Sequence, residues 1–228
     1  MKNTYTNKKQ QGMTLIELMI AMAIGAFLLA GVMQVYLGSR QSYRMLDSLS
    51  RMQENGRFAM EFISRDIRLA GFRECWTGSI PTPVNGTDND GLNNSDSITI
   101  QMSTSACPVV VLPITYTIAN GAGGQPSLFQ NNNGNNQEFL EGIQEMQILY
   151  GADTNGDNTP DYYVPFGTAG LLMNQVVSIR VGLLLVSLND SIAAQPVPYT
   201  FNGATITPAD RRLRRVFSST VAIRNLLP

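Results

Sequence analysis

Asp153, Asn155, Asp157 and Asp161 fall in one short stretch, Asp153-Thr154-Asn155-Gly156-Asp157-Asn158-Thr159-Pro160-Asp161. Alternating oxygen side chains at 153, 155 and 157, a glycine that permits a tight turn and a further carboxylate at 161 suit a hard cation, and calcium fits best. The bidentate Glu expected at the twelfth position of an EF-hand loop is replaced by Val164. The pattern is therefore nearer to the short Asp-rich calcium loops of extracellular β proteins. A metal-free Asx-rich turn uses the same residues, so both readings stand. A second chemically unusual residue is Glu17, a carboxylate set one turn into a long apolar run. Burying it in lipid costs roughly 2.5–3.5 kcal/mol on insertion scales, so it needs either a partner or a snorkelling path to the headgroups.

Catalysis finds little to work with. The chain has no His, its two cysteines lack a partner base, and no phosphate-binding glycine loop follows a strand. A carboxylate-pair hydrolase would need the Asp cluster that the cation loop explains better. The reading is that the chain is not an enzyme.

The elements that position these residues begin with a hydrophobic helix. Residues 13–33 carry one charge, Glu17, over about the 20 residues needed to cross a bilayer core. Lys2, Lys8 and Lys9 precede them without an acid, which keeps that end in the cytoplasm and sends the remainder across the inner membrane. From Ser39 the pattern becomes amphipathic. Leu46, Leu49, Met52, Gly56, Ala59, Ile63, Ile67 and Ala70 recur at spacings of three and four, predicting one helix from Met13 to Ala70 that ends at Gly71. At 1.5 Å per residue it would be roughly 85 Å long. Gly25, Gly31, Gly38 and Gly56 lie inside it and either permit bending and local melting or, at Gly25 and Gly31, close helix packing.

Beyond Gly71 the texture changes to Asn, Gly, Thr and Pro between short apolar runs, predicting an antiparallel β domain. The expected strands are 97–103, 109–118, 142–150, 162–165, 176–187, 199–206 and 215–224. Pro113 predicts an edge strand or a bulge. The Asn-Gly-rich stretches Asn85 to Asp96 and Asn120 to Gln137 read as long surface loops. Cys75 and Cys107 both fall in this exported part, where oxidation is favoured. One disulfide is expected, worth about 3–4 kcal/mol in the chain-entropy model, with two buried thiols as the alternative. The net charge of −1 hides an asymmetry, because Arg211, Arg212, Arg214, Arg215 and Arg224 follow Asp210 with no acid among them. Such a basic edge either pairs with a neighbour's acidic head or is simply solvated.

Two sets of residues carry a family resemblance. Lys8-Lys9-Gln10-Gln11-Gly12 running into Met13-Thr14-Leu15-Ile16-Glu17-Leu18 resembles the type III signal of type IV prepilins and type II secretion pseudopilins. The resemblance implies cleavage after Gly12 by a prepilin peptidase, methylation of Met13, and Glu17 as the assembly glutamate facing the free Met13 amine of a neighbouring subunit. Arg51-Met52-Gln53-Glu54-Asn55-Gly56-Arg57-Phe58, then Arg65-Asp66-Ile67-Arg68-Leu69-Ala70-Gly71-Phe72, Leu149-Tyr150-Gly151 and the terminal Arg211-Arg212-Leu213-Arg214-Arg215-Val216-Phe217 with Arg224-Asn225 are similar to PilW-type minor pilins.

The expected fold is therefore α+β and type IV pilin-like, a long N-terminal helix packed on an antiparallel β-sheet head. Its parts are a cleaved leader (1–12), the membrane and assembly half of the helix (13–38), the amphipathic half (39–71) and a periplasmic β-rich head (72–228). The function implied is a minor pilin that helps initiate the type IV pilus at its tip and supports twitching motility and adhesion. Its partners would be the peptidase, the inner membrane, other minor pilins, the major pilin and a tip adhesin. A J-type pseudopilin of type II secretion is the alternative. A DNA-uptake receptor ranks lower, because among the clustered arginines only Phe217 supplies an aromatic, which argues against nucleic acid.

Overall fold

The computed structural model describes residues 12–74, 82–103 and 110–225. One helix, α1 (Leu15–Leu69), precedes β1 (Val84–Thr87), β2 (Ser97–Met102), β3 (Leu112–Asn120), β4 (Pro126–Asn132), β5 (Asn135–Glu141), β6 (Ile143–Ala152), β7 (Tyr162–Val164), β8 (Val176–Val186), β9 (Tyr199–Phe201), β10 (Ala204–Ile206) and β11 (Arg214–Ala222). Contacts divide the chain into two compact units between Arg44 and Met45. In the first, Leu15, Ile16, Phe27, Leu29 and Val35 are all exposed, and the segment is apolar enough and long enough to cross a membrane.

The second unit holds the core. α1 contributes Met52, Ala59, Ile63 and Ile67 from the predicted stripe. They meet a five-stranded sheet ordered β1-β2-β3-β4-β5 and a four-stranded sheet ordered β11-β8-β6-β7. All named strand pairings are antiparallel. Ile98, Ile100, Tyr116 and Leu128 from the first sheet and Ile148, Tyr150, Ile179 and Leu183 from the second are all buried in one cluster with the helix. Alternation in β8 puts Ile179, Val181 and Leu183 inward and leaves Arg180 exposed, as a one-sided strand requires.

Gly71 ends the helix as expected. Its φ is +75°, a left-handed conformation that costs glycine little. Two loop expectations and one strand expectation are corrected. The stretch Asn120 to Gln137 contains β4 and most of the approach to β5, turned through Asn133-Gly134 at φ 50° and 91°. Positive φ at both turn residues is what a tight type I′ hairpin needs, so the Asn-Gly pair was a hairpin signal rather than slack. The stretch Asn85 to Asp96 likewise carries most of β1 and a 3-10 turn at Leu92–Asn94. The expected strand 199–206 is instead the β9-β10 hairpin, turned at Asn202-Gly203.

Pro113 does not mark an edge. β3 lies inside its sheet, and Pro113 sits second in the strand, opposite Gln101 and just beyond the Ile114–Asn132 pair that begins the β4 register. On that side the chain has already entered the hairpin turn, where Asn133 donates to the Pro113 carbonyl, so the missing N–H falls at the last rung of the β3–β4 ladder rather than within it. The irregularity falls elsewhere: between β4 and β5 the register shifts so that Phe139 is unopposed. Bulges re-aim side chains, and this one stacks Phe139 on Phe58 and edge-on to Phe62 of the helix, with ring centroids 5.8 and 5.0 Å apart.

Candidate functional site

The start of α1 is built by Thr14. Its Oγ1 accepts the Glu17 N–H at 3.3 Å, and its carbonyl accepts the Leu18 N–H at 3.2 Å. Thr14-x-x-Glu17 has the spacing of a capping box, of which the Thr14 half is made, and the glutamate sits where the helix dipole favours a negative charge. Sequence reasoning assigned Glu17 a partner but gave Thr14 no role, although the spacing alone is a start signal. Gly12 and Met13 lie ahead of the cap and are exposed. The structure therefore places Gly12, Met13 and Glu17 at one accessible helix end.

The Asp153–Asp161 stretch closes on itself. Asp153 Oδ1 accepts the N–H groups of Asn155 and Gly156 at 3.1 and 2.7 Å, and its Oδ2 accepts that of Asn158 at 2.8 Å. Asp161 Oδ2 accepts both the N–H and the hydroxyl of Thr154, while its Oδ1 accepts Asn155 Nδ2. Asp157 takes the N–H and hydroxyl of Thr159. These donors stabilise the ionised forms and hold the Asp157 and Asp161 carboxyls below their ordinary range. Among the described residues no group of three or more His, Cys, Asp or Glu is arranged to hold a metal. Cys75 and Cys107 lie outside the described residues. The chain ends leading into their segments are joined, because Glu74 donates to the Ser103 carbonyl at 3.2 Å and Ser103 to that of Phe72 at 2.8 Å.

The residues of the family-like stretches act together as a clasp between helix and sheets. Gly56 admits Phe217 of β11, since a Cβ there would lie 2.5 Å from the ring. Asn225 Nδ2 donates to the carbonyls of Arg68 and Ala70 at 3.0 and 3.3 Å, satisfying carbonyls that a helix C-terminus leaves open. Asp66, 2% exposed, accepts the Tyr116 hydroxyl at 2.6 Å, and Gln130 Nε2 donates to that same hydroxyl at 2.8 Å. Burial, reinforced by the neighbouring carboxylate, pushes the Tyr116 phenol above its usual range. None of these roles was assigned from sequence. The signals were a glycine inside an otherwise apolar stripe and an Asp at a stripe-adjacent position.

The arginine tail is used within the head. Arg214 forms a two-pronged pair with Asp210 at 2.7 and 2.8 Å and also reaches Gln144. That contact holds the Asp210 carboxyl below its ordinary range. Arg212 donates to Gln125, and Arg211 reaches Ser191 and, through its backbone, Asp190. Arg215 lies over the Phe217 ring.

The prokaryotic N-terminal methylation motif matches residues 7–33, and the Type IV Pilus-assembly protein W family, PilW, matches residues 115–225. The chain is 25% identical over 237 residues to the pilin-like protein PilA3 of Thermus thermophilus, covering 96% of this chain and 98% of that one. A type IV-like pilin of solved structure from Thermus thermophilus shares the fold, with a TM-score of 0.52 at 17% identity over 78% of this chain and 99% of the other. A long apolar N-terminal helix, a methylation motif at its start and antiparallel sheets behind it define a type IV pilin-like protein, anchored by one pass in the inner membrane and later incorporated in the pilus. Within that class, residues 115–225 are similar to the PilW pilus-assembly family.

Proposed function

We propose that this minor pilin helps initiate type IV pilus assembly from the tip and so supports twitching motility and adhesion. The observation that carries the reading is the pairing of a PilW match over the head with a methylation motif that keeps the apolar helix. In the proposed sequence of events, prepilin peptidase cuts after Gly12 and removes residues 1–12. The new Met13 amine is methylated and remains positively charged. Glu17 of one subunit then pairs with the Met13 amine of the next, while residues 13–38 join the helix bundle. A desolvated charge is costly unless it is paired, so in this reading the cut is a condition for assembly. Residues 39–71 carry the helix onto the head, 72–228, whose exposed surface sets the order of other minor pilins, the major pilin and an adhesin.

The test is deletion followed by complementation. Loss of twitching with secretion intact supports the reading; loss of exoprotein secretion with twitching intact would move the chain to a type II pseudopilus. A Cys75–Cys107 disulfide is proposed with it, supported by the Glu74–Ser103 hydrogen bond at the mouth of both segments, and a thiol titration of native protein checks it. Calcium at Asp153, Asn155, Asp157 and Asp161 is a separate proposal that rests on their oxygen pattern alone. Titration into the full chain, with Asp157→Ala as control, tests it, and no heat together with an unmoved melting temperature would end it.

A further inference from the structure

β11 lies at the end of its sheet, paired with β8 on one side only. The register runs unbroken from the Arg214–Val186 pair to the Ala222–Ser178 pair. Just beyond each end, Ile223 donates to the Val177 carbonyl and Ser187 to that of Leu213. Antiparallel pairing alternates, so the odd-numbered residues of β11 bond to β8. The N–H and C=O groups of Arg214, Val216, Ser218, Thr220 and Ala222 then point the other way, and none has a backbone partner among the described residues. Exposed edges are normally blunted by bulges, prolines or inward charges. This strand has no proline and no register shift.

The free edge opens on a groove of about 810 Å³, whose opposite wall is the polar side of α1. Glu54, Arg57, Glu61 and Arg68 line that wall, exposed and outside any ion pair among the described residues. We propose that the outer edge of β11 is a strand-addition site for an extended segment of a neighbouring pilin subunit. Backbone groups along the edge supply the hydrogen bonds, and the mixed-charge wall selects a segment carrying charges of both signs. An apolar helix would leave both the edge and these charges unsatisfied. A second copy of the chain fits poorly, because antiparallel self-pairing centred on Ser218 sets Arg212 opposite Arg224 at both ends.

The inference rests on the pilus reading above. Its test uses the full-length chain in piliated cells, with a photoreactive side chain at Val216 and with Ser218→Pro or Ser218→Ala added. The proposal expects an adduct with a different pilin-type subunit. Proline removes an outward N–H without touching the β8 ladder, so Ser218→Pro should cut adduct and fibre incorporation at least tenfold while membrane level and melting temperature hold. Ser218→Ala should preserve both. Thr220→Pro removes the next outward N–H and should repeat the result. An adduct that survives proline, a homodimer adduct, no adduct, equal loss with alanine, or unfolding by proline at both positions would each overturn it. Fibre incorporation unchanged by proline leaves the pilus reading intact and removes the edge. A wild-type chain absent from fibres that still gives a proline-sensitive adduct removes the pilus reading and keeps the edge.

Discussion

The two halves of α1 belong to one helix and live by different rules. Before Arg44 its apolar side chains are exposed, and a Cβ added at Gly25, Gly31 or Gly38 would meet nothing within 4 Å. After Met45 the same helix buries Met52, Ala59, Ile63 and Ile67, and its glycine is filled by Phe217. The first half therefore draws its stability from partners outside the chain, first lipid and then neighbouring helices, whereas the second is held by its own head. An identical substitution should have opposite consequences in the two halves, and the contrast can be broken or sharpened by mutation.

The largest effect is expected at Ile63. Ile63→Ala removes a fully buried side chain and should destabilise the head by about 2–5 kcal/mol, measured by denaturing the full chain in detergent. Ile20→Ala, in the exposed half, should leave that transition where it is. Next comes the Asp66–Tyr116 bond, since Tyr116→Phe strips a hydrogen bond from a buried carboxylate and should cost about 1.5–3 kcal/mol. Gly56→Ala follows, forcing the Phe217 ring aside at about 1–3 kcal/mol. Gly25→Ala should instead stabilise the helix by up to about 1 kcal/mol, read as a gain in helicity by circular dichroism. Asn225→Ala should cost about 1 kcal/mol by exposing the Arg68 and Ala70 carbonyls.

The smallest effect is a pH dependence confined to the head. Arg214 lowers the folded Asp210 carboxyl below its ordinary value of 3.8. A depressed acid stabilises the fold above its unfolded value, and that contribution is lost as pH falls through the folded one. Arg214→Gln should flatten this acid limb in a denaturation series between neutral pH and about pH 3, the region where carboxylates titrate.

The same division explains what could be read from sequence. Hydrophobic periodicity located α1 to within two residues of its observed start, Leu15, and one of its end, Leu69, and Gly71 marked the stop because only a left-handed turn fits there. Polar strands escaped: β4 and β5 carry Asn and Gln on paired positions, so their order comes from backbone pairing and a tight turn rather than apolar alternation. The clasp escaped as well. Gly56 meets Phe217, and Asp66 meets Tyr116, across separations that local spacing does not encode. At the helix start the signal is local in type and spacing, and there the methylation motif matches residues 7–33.

In the proposed assembly step, processing creates the amine that Glu17 requires, and the amount of Glu17→Ala in sheared fibres reads this out. The variant should be cleaved after Gly12, reach the membrane at wild-type level and keep the melting temperature of the head, yet be missing from the fibre fraction. Glu17→Ala recovered in fibres at the wild-type amount would contradict the claim.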